Sequence, residues 1–557
     1  MLRRAGLLLL LLRVAPLRAC SFIVANFDVA AKRGNATLAA ANAFSKLRGP
    51  DATNVRVLRG WTFVHNLLAM TGAVTLQPFL DRGGKRVALF NGEVYNFRDL
   101  AHELAGSRDA WASDGASLLP AYDKWGGDFA SKLRGEFAFV VVDFERSVVV
   151  VSTDAFGTKP LWTARWEDGG EARFAVASYE SVLAGLGAPA ESRRMAEPNT
   201  CLVFDMARGF AVRATIPVHT WDLRQHKNHT RDWTAAFRRA VRMRTANTRH
   251  AWFIGLSSGY DSGALMLALL EQRAPFFALS IRGREVTDVV WQRAQLCSAA
   301  DARCDAELLQ LDDATVEREA AWLRAHAEPY AYHHRDAGLE RGKGVTVEHV
   351  YESAAAVGLS CILARVRKRG GLIYLSGSGA DETISDYAMQ GRPIAPSSCF
   401  RGVWPEDLGT IFPWCNFYYG TQRAYLMKEE LTGGAHGIET RYPFLDVDVV
   451  QEYLSLSRDV KNSEYKRPLA DYLRRGDGEA PFPNAWDVKR GFSGRSNVVR
   501  NSSVLRVGAN GASVAPATWA LDEAVDAASV RRRAARKARR KSAAQTTAAQ
   551  LSAAQAF

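Results

Sequence analysis

The chain has 557 residues, of which 47% are hydrophobic and 24% charged, with a formal net charge of +13; this is the composition of a globular protein of two or three domains. The charge sits at the ends: four arginines (Arg3, Arg4, Arg13, Arg18) precede residue 20, and eight basic residues lie between Arg531 and Lys541. The body is therefore nearly neutral, which argues against a nucleic-acid partner, and no later stretch is long and apolar enough to predict a membrane span.

In chain order, residues 1–19 combine a basic start, an apolar run from Ala5 to Leu12 and a small residue at Ala19. This predicts a cleavable signal peptide, too short in its core to span a bilayer, and a secretory or secreted location if it is cut after Ala19. Cleavage would make Cys20 the N-terminus, placing a thiol and a potential base, its own α-amine, on one residue. The ordinary alternative is a first structural cysteine of a secreted domain. None of the seven cysteines forms a C-x-x-C pair, which argues against a zinc ribbon or a thioredoxin-type site. Three glycosylation sequons (Asn35, Asn228, Asn501) are compatible with secretion.

Residues 20–213 read as strand-rich, with runs at Phe22–Ala25, Trp61–Leu67, Val87–Phe90, Phe137–Asp143, Val148–Thr153 and Arg173–Ala177. They predict a layered α/β domain on antiparallel sheets. Residues 228–504 alternate: strands at Ala251–Leu256, Phe276–Ile281 and Gly371–Leu375, helices at Ser262–Arg273 and Trp291–Ala300. That order predicts a parallel sheet covered by helices. Residues 505–557 form a basic, alanine-rich tail with no assigned catalytic role.

Two motifs follow predicted strands. In Ser257-Ser258-Gly259-Tyr260-Asp261-Ser262-Gly263, a turn of small residues at a helix start points N–H groups at an anion, and Asp261 adds a carboxylate for the magnesium of ATP. The absence of G-K-[ST] excludes a P-loop, but Gly255-Leu-Ser257-Ser-Gly259 also matches a G-x-S-x-G nucleophile elbow. The second motif, Leu375-Ser376-Gly377-Ser378-Gly-Ala-Asp381-Glu382, presents another acid after another strand. Two such turns can face one crevice at the carboxyl ends of a parallel sheet. The plain alternatives are a structural turn and a capping aspartate.

With His436-Gly-Ile-Glu439-Thr-Arg441-Tyr-Pro-Phe-Leu-Asp446, these motifs resemble the glutamine-dependent asparagine synthetase family, from Cys20 to about Arg495. Arg48-Gly-Pro-Asp51, Asn91-Gly-Glu93-Val-Tyr-Asn96, Ser113-Asp114-Gly, Leu133-Arg-Gly-Glu-Phe-Ala-Phe139 and Asp154-Ala-Phe-Gly157 resemble its glutaminase domain. The resemblance implies a four-layer N-terminal-nucleophile hydrolase fold of the class II amidotransferase type, joined to an α/β ATP pyrophosphatase domain. It makes Cys20 the nucleophile, Asn91 and Gly92 the oxyanion hole, and Glu93 and Asp114 the holders of the glutamine ammonium group. On local pattern alone Asn91-Gly92 reads as a hairpin turn. Downstream the resemblance implies ATP contacts from Leu256, Ser257, Ser258, Gly259, Asp261, Ser262, Ser376 and Gly377. Asp261 and Asp381 become magnesium ligands, and Lys489 in Trp486-Asp-Val-Lys489-Arg-Gly-Phe-Ser the catalytic lysine. Glutamine, ATP and aspartate or another carboxylate are the implied substrates, and a homodimer a candidate assembly.

Three positions depart from the family pattern. Leu67 stands where the family carries a carboxylate-binding arginine, and Ser378 where it carries glutamate or, in β-lactam-forming relatives, tyrosine. The loop has Ser258, Tyr260 and Gly263 where the family has glycine, leucine and serine. The expected activity is ATP-dependent amide synthesis through an acyl-adenylate, with ammonia drawn from glutamine at Cys20. The rivals are a β-lactam-synthetase-like ligase with another acceptor, a serine hydrolase using Ser257, and a secreted binding protein with a decayed active site.

Overall fold

The structure is a computed structural model. It describes residues 20–486, apart from 50, 69, 72, 249, 284, 299–302, 335–345, 390, 396 and 476–479, and also residues 503–507. Twelve strands lie before residue 218: β1 (Ser21–Ala25), β2 (Ala52–Leu58), β3 (Trp61–Leu67), β4 (Phe79–Leu80), β5 (Arg86–Val94), β6 (Gly135–Asp143), β7 (Val148–Thr153), β8 (Trp162–Asp168), β9 (Glu171–Ala177), β10 (Arg193–Met195), β11 (Thr200–Asp205) and β12 (Ala211–Pro217). They form two six-stranded sheets, in the orders β10-β8-β9-β1-β3-β2 and β12-β11-β7-β6-β5-β4. The pairings are antiparallel, with β1 between β3 and β9, and β6 between β5 and β7.

The two sheets pack face to face. Phe22, Val24 and Phe63 of the first meet Val87, Leu89, Val140 and Val142 of the second in one core. Alternate residues serve the outer faces, as period-two side chains must. Phe90, Phe139 and Val141 pack under the helices Phe97–Ala105 and Leu118–Trp125. Ile23, Ala25 and Val64 pack with Val29, Leu38 and Val182 from the helices on the other side. The result is the expected four-layer αββα arrangement.

From residue 251 onward a parallel sheet begins: β13 (Ala251–Gly255), β14 (Phe276–Ile281) and β15 (Cys304–Gln310). A short ribbon, β16 (Ala331–His334) with β17 (Thr346–His349), precedes the next strand of the sheet, β18 (Gly371–Leu375), and a second, β19 (Ala388–Met389) with β20 (Arg392–Pro393), precedes β21 (Glu439–Arg441). The sheet contains, in order, β21-β18-β13-β14-β15, parallel at every one of these pairs. β13 and β18 are neighbours, so the loops that leave their carboxyl ends lie side by side. The core that backs β1 continues into Phe253, Leu279, Leu363 and Ala424, so the antiparallel and parallel regions share apolar packing.

Two helix boundaries differ from the sequence expectation. The helix expected at Ser262 begins at Tyr260 and ends at Glu271, because Gly259 (φ −86°, ψ 174°) turns directly into it. The helix expected at Trp291–Ala300 spans Thr287–Leu296. Cys297, just past its end, is bonded to Cys304 at the start of β15, and a second disulfide joins Cys399 to Cys415. Lys489 and the tail from 508 lie outside the described residues. Among the described residues no helix is long and apolar enough to cross a membrane.

Candidate functional site: a cysteine pocket and a strand-end crevice

Cys20 immediately precedes β1, a strand buried at all of its five positions. Its sulfur accepts the Leu68 N–H at 3.0 Å and can donate to the Leu68 carbonyl at 3.3 Å. Its own carbonyl accepts from Arg48 Nε at 2.9 Å. Burial pushes the thiol pKa up; the Leu68 contact offsets part of this, while the carboxylates of Glu439, Asp114 and Glu93 add to it. A thiolate therefore forms here only if a nearby base takes the proton.

The sulfur faces a pocket whose lining includes Leu67, Leu68, Met70, Glu93, Asp114 and Glu439. Asn91 and Gly92 lie inside β5, paired with Ala138 and Phe137 of β6, and not in a hairpin turn. Asn91 is 2% exposed and its Nδ2 has no hydrogen-bond partner, a donor left for something else to satisfy. Gly92 has φ +123°, and a Cβ there would lie 1.9 Å from the Glu136 carbonyl oxygen, so only glycine fits. Asp114 accepts the N–H groups of Val94 and Gly115, both at 2.9 Å. Burial nevertheless raises it to about 7, with Glu439 adding to the rise.

The second group gathers at the carboxyl ends of β13 and β18. The loops nearly touch: a Cβ on Gly377 would sit 3.1 Å from Asp261 Cβ. Ser257 N–H donates to Ser262 Oγ at 3.1 Å, and the two hydroxyls pair at 2.6 Å. Ser257 thus has a serine partner where a nucleophile requires a base, and the geometry gives the serine-hydrolase reading no support. Ser258 donates its N–H and hydroxyl to Glu285, at 2.7 and 2.5 Å. Leu256 is buried beneath the loop. Ser376 and Ser378 both donate to the buried carboxylate of Glu429, at 2.6 and 2.9 Å.

Several residues that the sequence motifs did not flag complete these sites. Lys466 is buried with φ +49° at the start of the helix Arg467–Arg474, and its Nζ lies 2.6 Å from Asp261 and 2.8 Å from Asp381. Burial alone would lower its pKa; the two aspartates reverse this and raise it. Arg293 braces the loop from below, donating to the carbonyls of Ser257 and Gly259 at 2.5 and 3.0 Å. Gly263 has a reason: a Cβ there would lie 2.3 Å from Arg293 Nη2. Tyr260 also has one, because its ring packs edge-on against Tyr465 and Trp486 and its hydroxyl donates to the Trp486 carbonyl at 3.2 Å.

Buried ion pairs connect the two sites. Arg48 pairs with Glu430, which Lys159 also meets at 2.8 Å. Arg441 of β21 lies 3.0 Å from Glu93 and 2.7 Å from Glu439. Apart from Glu439 and Arg441, which share β21, these partners come from segments hundreds of residues apart, and no local spacing announces them.

Residues 20–206 match the glutamine amidotransferase domain family. Human asparagine synthetase (glutamine-hydrolyzing) is 24% identical over 499 residues, covering 82% of this chain and 81% of that protein. A putative asparagine synthetase (glutamine-hydrolyzing) of Methanocaldococcus jannaschii is 24% identical over 431 residues, 74% of this chain and 72% of that protein. A solved glutamine phosphoribosylpyrophosphate amidotransferase from B. subtilis aligns with 86% of this chain and 93% of its own at 12% identity, but its TM-score of 0.26 is too low to bear on the fold. Residues 20–206 thus carry a glutamine amidotransferase domain, and the chain is similar along most of its length to glutamine-hydrolysing asparagine synthetases.

Proposed function

We propose that the chain is an ATP-dependent amidotransferase. An amide, by default that of glutamine, is hydrolysed at Cys20, and the ammonia attacks a carboxylate, by default that of aspartate, activated as an acyl-adenylate; AMP and pyrophosphate leave. The observation that carries this reading is the junction at β21. Glu439 on that strand lines the cysteine pocket and Arg441 pairs with Glu93, while the neighbouring strand β18 leads into the turn that bears Asp381.

In this reading the α-amine of Cys20, exposed by cleavage after Ala19, takes the thiol proton that burial otherwise retains. Asn91 Nδ2 and the Gly92 N–H receive the negative charge of the tetrahedral intermediate, and each such donor contributes a few kcal/mol, on the order of 3. Glu93 and Asp114 hold the ammonium group of the substrate. In the crevice the first turn of the helix Tyr260–Glu271, with Ser257, Ser258, Gly259 and Ser262 before and within it, receives phosphate oxygens. Asp261 and Asp381 converge on one cation, the Lys466 ammonium. They are two hard oxygen donors, the number magnesium takes from protein when phosphates complete its shell, so the donor set fits. Bound there, the metal would neutralise phosphate charge. Lys489 keeps its expected role as the cation beside the acyl phosphate.

We carry forward the division into domains at 20–213 and 228–504 and passage through the secretory pathway. The two disulfides support an oxidising compartment. A specific observation favours a second reading of the acceptor. Glu429 holds Ser378 where the motif elsewhere carries an acid or a phenol, which supports a ligase whose acyl acceptor differs, as in β-lactam formation.

Pyrophosphate release from ATP, measured with ammonium chloride and a panel of carboxylates including aspartate, tests the ligase half. Carboxylate-dependent release lost in Asp381→Asn supports the reading. No release with any carboxylate favours a binding protein with a decayed active site.

A further inference from the structure

The cysteine pocket carries a charge pattern narrower than its nucleophile requires. Its lining holds the carboxylates of Glu93, Asp114 and Glu439 with no lysine, arginine or histidine among the described residues, and its walls include Leu67, Leu68 and Met70. Ala69 and Gly72 of the neighbouring loop, outside the described residues, carry no charge. Arg441 is the guanidinium that meets Glu93, but it is 1% exposed and shared between Glu93 at 3.0 Å and Glu439 at 2.7 Å, and its Nη1 donates to the Arg244 carbonyl at 2.6 Å. One buried side-chain cation therefore faces three carboxylates, beside the Cys20 α-amine that takes up the thiol proton. Burial raises Glu93 well above its ordinary value, and Arg441 offsets only part of that rise. A second feature also points to a ligand: Ser113, 6% exposed, lines the pocket with a hydroxyl that has no hydrogen-bond partner.

Free glutamine brings both an ammonium and a carboxylate. The ammonium balances the surplus negative charge. The carboxylate would enter a secluded, already negative pocket with no cation opposite it, where like-charge repulsion is weakly screened. A molecule that keeps the primary amide and the ammonium but loses the carboxylate meets only the favourable half.

We propose, resting on the reading of this pocket as an amide-hydrolysing site, that its preferred substrates are primary amides bearing an ammonium group and no free carboxylate beside it. Two sources share that chemistry: glutamine with its carboxyl group blocked, as at the N-terminus of a peptide, and a decarboxylated ω-amino amide. The reaction is the same hydrolysis. The Cys20 sulfur bonds to the amide carbon, the C–N bond breaks as ammonia leaves with the thiol proton, and water cleaves the thioester to a carboxylic acid and the thiol.

The test is ammonia release by the full chain beginning at Cys20, with L-glutamine, L-glutamine α-N-methylamide and 4-aminobutanamide as separate substrates and Cys20→Ala as control. At least one carboxylate-free amide should exceed L-glutamine in kcat/KM by about tenfold or more, the scale of one charged hydrogen bond. Which of the two leads identifies the source as blocked or decarboxylated. Leu67→Arg should move the preference toward L-glutamine; should that buried change fail to fold, Asp114→Asn should shrink the ratio by removing one of the carboxylates that repel the carboxylate of glutamine. Cys20-dependent release in which L-glutamine matches or exceeds both amides overturns the proposed specificity and leaves amide hydrolysis standing. No Cys20-dependent ammonia from any substrate overturns both.

Discussion

Asn91 and Asp114 show how single residues carry this account. A buried Nδ2 without a partner is unfavourable for folding unless something arrives to accept from it, and a developing oxyanion is such a group. Asn91→Ala should therefore lower kcat for amide hydrolysis by roughly 10²–10³ with little change in KM; a change in KM alone, in steady-state kinetics, would argue for a packing role. Asp114 makes a pH prediction. Its pKa is raised to about 7, chiefly by burial, so it gains a proton as the pH falls through that value and can then no longer balance an ammonium ion. In a Cys20→Ala chain, calorimetric affinity for 4-aminobutanamide should weaken below about pH 7, and Asp114→Asn should flatten that dependence. An affinity that rises on acidification would have the wrong sign.

At the scale of elements, the loop between β13 and its helix depends on a glycine and an arginine that fit only each other. Gly263 leaves space that the Arg293 guanidinium fills, and burial lowers that arginine to about 9, with Glu285 and Asp261 restoring part of its basicity. Gly263→Ser should strain this packing and cost about 1–3 kcal/mol of stability. Arg293→Met should cost a similar amount by leaving loop carbonyls without donors. Denaturant unfolding of both single variants and the double variant checks the coupling; strictly additive losses would contradict it. The same elements show what the sequence could reveal. β1, β3, β6 and β7 were legible because their runs are apolar and β-branched. β15 was not, because Asp305 and Glu307 interrupt its apolar run, yet Glu307 is 0% exposed and is neutralised by Arg365 at 2.8 Å and Arg369 at 3.0 Å. Within the sites, Cys20, Asn91, Asp261 and Asp381 sit in motifs with a recognisable order. Lys466, Arg293 and Glu429 take their roles from tertiary contacts, and nothing in their own neighbourhoods assigns them; Glu439 lies in a recognisable motif, but its place in the cysteine pocket comes from the fold.

Across the whole molecule, Glu430 is the residue that most plainly joins the cysteine pocket to the parallel-sheet half, since it pairs with Arg48, which also holds the Cys20 carbonyl, and with Lys159. Burial pushes its pKa up, but Lys159 and Arg48 more than offset this and leave it below the ordinary 4.5. A depressed carboxylate stabilises the fold above its ordinary pKa and loses that contribution as the pH falls through the depressed value. Acid unfolding should therefore set in below about pH 4.5, and Glu430→Ala should cost about 3–5 kcal/mol at neutral pH by stranding two buried cations. Circular dichroism against pH and denaturant checks both, and an unchanged acid limb in the variant would contradict the assignment. The proposed function requires that nitrogen released at Cys20 be used at the crevice of Asp261 and Asp381. The most direct measurement follows AMP formation from ATP by the chain beginning at Cys20 and by its Cys20→Ala variant, with a primary amide or ammonium chloride as nitrogen source and a carboxylate acceptor present. The account predicts AMP from ammonium chloride in both proteins and from the amide only when Cys20 is intact; amide-supported AMP formation that survives Cys20→Ala, or none in either protein with either source, would contradict it.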